Sequence, residues 1–132
     1  MKSFVTTVIA SSLLSLGLAS PVNVTERAPG GGVYLCPGAN WTPSNLCQHI
    51  DMTNGGCWTI PWQTLGSIGP DSGWVCSMFV EPNNCVYSSG NLNSGGIYTP
   101  GVADLTTWND GFTGKWNGYW FTDAKTIQCE YA

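Results

Sequence analysis

Thr126-Ile127-Gln128-Cys129-Glu130-Tyr131 is the stretch on which the reading of the fold turns. Ile127, Cys129 and Tyr131 alternate with Thr126, Gln128 and Glu130, so one face is apolar and the other polar. A period of two is that of a β-strand with one covered face. Leu46 to Met52 repeats the pattern, with Ile50 and Met52 facing in and His49 and Asp51 facing out. Val33 to Cys36 and Trp74 to Val80 are apolar on both sides, as in strands covered on both faces. Pro37-Gly38, Asn54-Gly55-Gly56, Gly69-Pro70, Pro82-Asn83 and Gly95-Gly96 read as turns between such segments. No stretch keeps a helical period, and Thr106 to Tyr119 reads as a long loop. Short strands closely spaced between turn signals predict an all-β sandwich or barrel.

The N-terminal end reads as a processing segment. Lys2 gives one positive charge, Phe4 to Leu18 is uncharged and mostly apolar, and Gly17-Leu18-Ala19 offers small residues before a cut. That is the layout of a signal peptide over residues 1–19. The apolar run is shorter than the roughly 20 residues a bilayer span needs, and Ser11, Ser12 and Ser15 dilute it. Residues 20–32 are expected to be a short pro-segment, cut after Arg27, or a flexible tail. The folded domain is expected over residues 33–132, and the protein outside the cell.

Composition narrows the function classes. After Arg27 the chain holds seven carboxylates (Asp51, Asp71, Glu81, Asp104, Asp110, Asp123, Glu130) and two lysines (Lys115, Lys125), a net charge of −5, with no arginine. Phosphate backbones and anionic lipid surfaces are gripped by clustered Lys and Arg, so neither nucleic acid nor a membrane is an expected partner. The six cysteines, Cys36, Cys47, Cys57, Cys76, Cys85 and Cys129, all lie in the expected domain. An even count on an oxidising route predicts three disulfides, with fifteen connectivities open. Zinc sites favour cysteines two to four residues apart. The nearest two here, Cys76 and Cys85, are nine positions apart, so no metal site is expected.

A faint internal repeat divides the domain. Val33-x-Leu35-Cys36 is followed by Asn40-Trp41, and Cys76-x-Met78-Phe79 by Asn84-Cys85. Gly66-Ser67-Ile68 and Lys125-Thr126-Ile127 each open a closing strand. Two such repeats fit two Greek keys packed face to face, over about residues 33–73 and 74–132. Val33-Tyr34-Leu35-Cys36 with Asn40-Trp41, and Cys76-Ser77-Met78-Phe79 with Asn84-Cys85, resemble the first strand and folded hairpin of a βγ-crystallin Greek key. The run from Gly66 to Gly73 and the run from Pro100 to Leu105 resemble small secreted cysteine-rich fungal proteins of that fold. The resemblance implies a disulfide-stabilised βγ-crystallin-like sandwich with no catalytic centre, akin to effectors and killer-toxin-like antimicrobial proteins. It also implies a Cys76–Cys129 bridge, since the first and last strands of a key are neighbours in that fold. Some members bind calcium through Asn/Asp-Asn/Asp-x-x-Ser/Thr-Ser, a set of oxygens suited to a hard cation. Here Trp62 to Ser67 keeps only the last serine. Thr122 to Ile127 keeps Asp123 and Thr126 and adds Lys125, so no calcium and no other cofactor are expected.

Candidate chemistry is sparse. His49 and Asp51 share a polar strand face and could orient a proton transfer, although a solvated histidine is the plainer reading. No G-x-S-x-G elbow is present. Trp108, Phe112, Trp116, Tyr119, Trp120 and Phe121 fall within fourteen residues, among Asn109, Asp110 and Asn117. Rings beside amides and carboxylates suit sugars or protein surfaces, while Trp120 and Phe121 are expected in the core. The binding candidates are therefore Trp108, Trp116, Asp104 and Asp110. The two aspartates are also the pair to test for a glycosidase. Asn40-Trp41-Thr42 and Asn23-Val24-Thr25 are N-glycosylation acceptors. The expected function is extracellular binding by a monomer, without catalysis, to a host or microbial protein. Cell-wall glycan binding and a small secreted hydrolase are the alternatives.

Overall fold

The computed structural model describes residues 31–132. The expected signal peptide, Arg27 and the Asn23 acceptor lie outside the described residues. Among the described residues seven strands run in chain order: β1 Gly32–Cys36, β2 Gln48–Asp51, β3 Gly56–Thr59, β4 Ser67–Pro70, β5 Trp74–Phe79, β6 Ile97–Tyr98 and β7 Thr126–Tyr131. A five-residue helix, α1 Tyr119–Asp123, precedes β7. All pairings are antiparallel, in two sheets ordered β2-β1-β4 and β3-β7-β5-β6.

The strand order contains an exchange. β3 follows β2 in the chain but pairs with β7 at the edge of the second sheet. In the other direction Val102, which follows β6, bridges to Ile68 on β4, with N–H to O=C bonds of 2.8 and 3.0 Å both ways. Each half of the chain therefore sends one segment into the sheet built by the other half. One apolar cluster takes side chains from both sheets: Val33, Leu35 and Ile68 from the first, Trp74, Cys76, Met78, Ile127 and Cys129 from the second. Leu65, Leu105 and Trp120 fill it from the connections.

Three disulfides close the chain, Cys36–Cys47, Cys57–Cys85 and Cys76–Cys129, and no free cysteine is left. Cys76 and Cys129 are directly opposite each other on β5 and β7, which is the pairing the resemblance implies. Among the described residues no helix is long and apolar enough to cross a membrane.

Gly69-Pro70 is not a turn but the end of β4, where Gly69 pairs with Tyr34 and Pro70 with Val33. Pro70 is tolerated because β4 is outermost in its sheet order and Pro70 is its last residue. Glycine serves at position 69 because the Trp41 ring lies over it, and a Cβ would come within 3.0 Å of that ring. Thr126, on the polar face of β7 with Gln128 and Glu130, is fully buried. Its hydroxyl donates to the carbonyls of Glu81 (3.0 Å) and Asn84 (3.1 Å), because the segment after β5 folds across the outer face of the sheet there.

Candidate functional site

The aromatic loop runs from Asp104 to Gly118 and is shaped by its own polar side chains. Asp104 accepts from the Thr106 N–H at 2.9 Å and from the Thr106 hydroxyl, an Asx-type turn that opens the loop. Asn109 donates to the Lys115 carbonyl (2.9 Å) and to Asn117 Oδ1 (3.0 Å), and accepts from the Gly111 N–H (2.6 Å). The neck closes where the Gly118 N–H meets the Trp108 carbonyl at 2.9 Å. Gly118 has φ +86°, and a Cβ there would lie 2.3 Å from the Thr106 carbonyl oxygen, so only glycine fits.

Asp110 is the hub. Oδ1 accepts from the N–H groups of Phe112 (2.8 Å) and Thr113 (2.9 Å). Oδ2 accepts from the Thr113 hydroxyl (2.8 Å) and from Trp120 Nε1 (2.7 Å). Trp120 is itself buried in the core, so this last bond ties the loop tip to the interior. Burial pushes the Asp110 carboxyl up, but the four hydrogen bonds outweigh it and hold the group below the usual carboxylate range. A carboxylate so engaged stays ionised at neutral pH and is not poised to give up a proton as a glycosidase acid must.

The rings divide. Trp108 and Phe121 are half-buried against the core, and Tyr119 is buried with its phenol pushed up by burial and then by the Asp123 carboxylate. Phe112 and Trp116 are 66% and 63% exposed. Trp116 stands edge-on to Tyr119 with centroids 4.9 Å apart, and Lys115 Nζ lies 5.9 Å from the Trp116 ring and 5.3 Å from that of Tyr119. Of the four residues singled out from the sequence, Asp104 and Asp110 shape the loop, Trp108 leans on the core, and Trp116 is presented outward. Phe112 joins Trp116 as an open ring on the same loop. Its place beside Asp110 and two glycines was the available signal.

His49 has more company than its strand shows. Nδ1 lies 3.4 Å from Asp51 Oδ1 and Nε2 lies 2.8 Å from Asp71 Oδ2, which also accepts from the Gly32 N–H at 2.9 Å. Asp71 is 22 residues away in the chain, so no local pattern could reveal it. The cluster is exposed and links β2 to the turn after β4. In the calcium-motif positions, the buried Ser67 hydroxyl donates to the Gly38 carbonyl at 2.6 Å, and Asp123 accepts from Thr122 at 2.7 Å. Among the described residues no group of three or more His, Cys, Asp or Glu side chains is placed to hold a metal. Asn40 sits exposed in a turn with φ 58°, where an asparagine is readily accepted. Set against protein-family models, curated proteins and solved structures, the chain matches none.

Proposed function

We propose that this is a secreted protein that works outside the cell by binding rather than by catalysis, as a host-directed effector or a toxin-like antimicrobial protein. One observation carries the reading. The loop uses its carboxylates and amides to hold its own shape and leaves Phe112 and Trp116 open. Rigid exposed rings on a preformed loop are what a protein surface binds as anchors, because little conformational freedom is lost on contact. Lys115 adds a cation beside the Trp116 ring.

The proposed architecture is two Greek keys of the βγ-crystallin kind, one from about residue 33 to 73 and one from 74 to 132. It is supported by the exchange of β3 and the Val102 segment between the sheets. The extracellular assignment is supported by three disulfides with no cysteine left over, the pattern of oxidising compartments.

The test is the double variant Phe112→Ala/Trp116→Ala. Both side chains are mostly in solvent, so the unfolding midpoint should move by no more than about 0.5 kcal/mol equivalent. Activity in leaf-infiltration and microbial growth assays should disappear. A folded double variant with full activity in the assay where the parent is active would sink the reading.

A further inference from the structure

A second surface lies on the outer face of the four-stranded sheet. An open groove of about 630 Å³ runs there between Gly55, at the turn before β3, and Val86-Tyr87, in the segment after β5. Its other lining residues include Asn83, Asn84, Gln128 and the Cys57–Cys85 bridge. That volume is in the range of small-ligand sites.

The lining has a definite chemistry. None of these side chains carries a formal charge. Asn83 Oδ1 accepts from the Thr59 hydroxyl at 2.9 Å, and the Tyr87 hydroxyl is shared between Ser77 Oγ at 3.1 Å and Gln128 Oε1 at 3.3 Å. The amide nitrogens of the same two side chains have no hydrogen-bond partner among the described residues, which leaves up to four N–H donors for something else. Tyr87 meets Phe79 edge to face at 4.9 Å, yet 53% of it is open to solvent. Tyr98, 60% exposed, stands on the same face: it pairs with Val75, which is opposite Glu130, one row along from Ser77 and Gln128. Rows on one face are about 7 Å apart.

We propose that this groove binds a neutral oligosaccharide. A sugar ring offers an apolar C–H face, which fits an open tyrosine ring, and hydroxyl oxygens, which fit free amide donors. A phosphate or sulfate ligand would call for Arg or Lys, and none lines the groove. A purely apolar ligand would leave the amide donors buried and unpaired. The second tyrosine, one row further along the sheet, extends the strip beyond a single sugar ring. The site does not depend on the aromatic loop.

The experiment is an NMR titration of the ¹⁵N-labelled oxidised protein with two neutral probes, hexamers of β-1,4-linked N-acetylglucosamine and of β-1,3-linked glucose. The expected result is shift changes in residues 83–87 and 128 with at least one hexamer, and none in residues 112–116. Tyr87→Ala should weaken that binding about tenfold, the equivalent of one lost ring contact. Asn83→Gly should weaken it severalfold. Asn83 has φ 58°, which glycine also adopts, so this variant removes the amide without disturbing the backbone. Trp116→Ala should titrate like the parent. Silence at residues 83–87 with both hexamers, shifts confined to residues 112–116, or unchanged affinity in both Tyr87→Ala and Asn83→Gly would each overturn the proposal.

Discussion

The segment between β5 and β6, residues 80–96, and the loop over residues 104–118 are alike in sequence. Both are long and irregular and rich in Asn, Ser or Thr, and Gly. They differ in where their polar groups end up. The first is organised from beneath by Asn91, which is fully buried: its Oδ1 accepts from the Glu81 N–H, and its Nδ2 donates to the carbonyls of Asn84 and Val86. Ser94, also buried, accepts from the Met78 N–H, and Cys85 bonds the segment to β3. The second is organised by Asp110, a charged group near the surface, with one bond reaching inward to Trp120. A neutral hub under a covalent tie makes a fixed wall. A charged hub with no disulfide makes a presented tip whose stability is linked to its ionisation.

Breaking the wall should cost the most. Removing the Cys57–Cys85 bridge as the double serine variant frees a 28-residue separation, and loop-closure entropy alone puts the loss at about 3–4 kcal/mol. Denaturant unfolding measures it. A loss under about 1 kcal/mol would mean the segment is held without the bridge.

Asn91→Ala should cost about 2–3 kcal/mol, because it leaves the Glu81 N–H and two carbonyls without their partner in a buried place. Since Asn91 and the three backbone groups it bonds do not titrate, the cost should be the same at acid and neutral pH. A cost that varied with pH would mean that the two segments do not differ in this way.

Asp110→Ala should cost less, about 1–2 kcal/mol, chiefly by stranding the buried Trp120 N–H. Its pH dependence has a definite sign. The carboxyl is held below its ordinary value of 3.8 in the folded protein. Its contribution is complete above that value and is lost as pH falls through the lower, folded one. The stability gap between parent and Asp110→Ala should therefore be constant at neutral pH and narrow below about pH 3.8. A gap that widened in acid would contradict the depressed carboxyl.

Much of the scaffold is legible in the sequence, and little of its surface chemistry is. The alternating stretch at residues 126–131 is β7, and the apolar runs near Val33 and Trp74 are β1 and β5. Trp120 is in the core as expected. Asp110 and Trp116 were picked out by composition, but composition could not separate the residue that builds the loop from the one the loop displays. The groove at Tyr87 and the Asp71 partner of His49 were out of reach, since each joins residues from separate turns of the chain.

By itself, the order of residues determined the strand period, most of the turns and the possibility of three bridges, because these follow from backbone sterics and side-chain alternation over a few residues. Only the tertiary structure decided that β3 crosses to the other sheet, that Cys57 meets Cys85, that Gly69-Pro70 continues a strand, and that Thr126 and Asn91 are buried. Those outcomes depend on which segments pack together, and the free energy that selects among them, from buried apolar area and satisfied polar groups, exists only once the sheets have met.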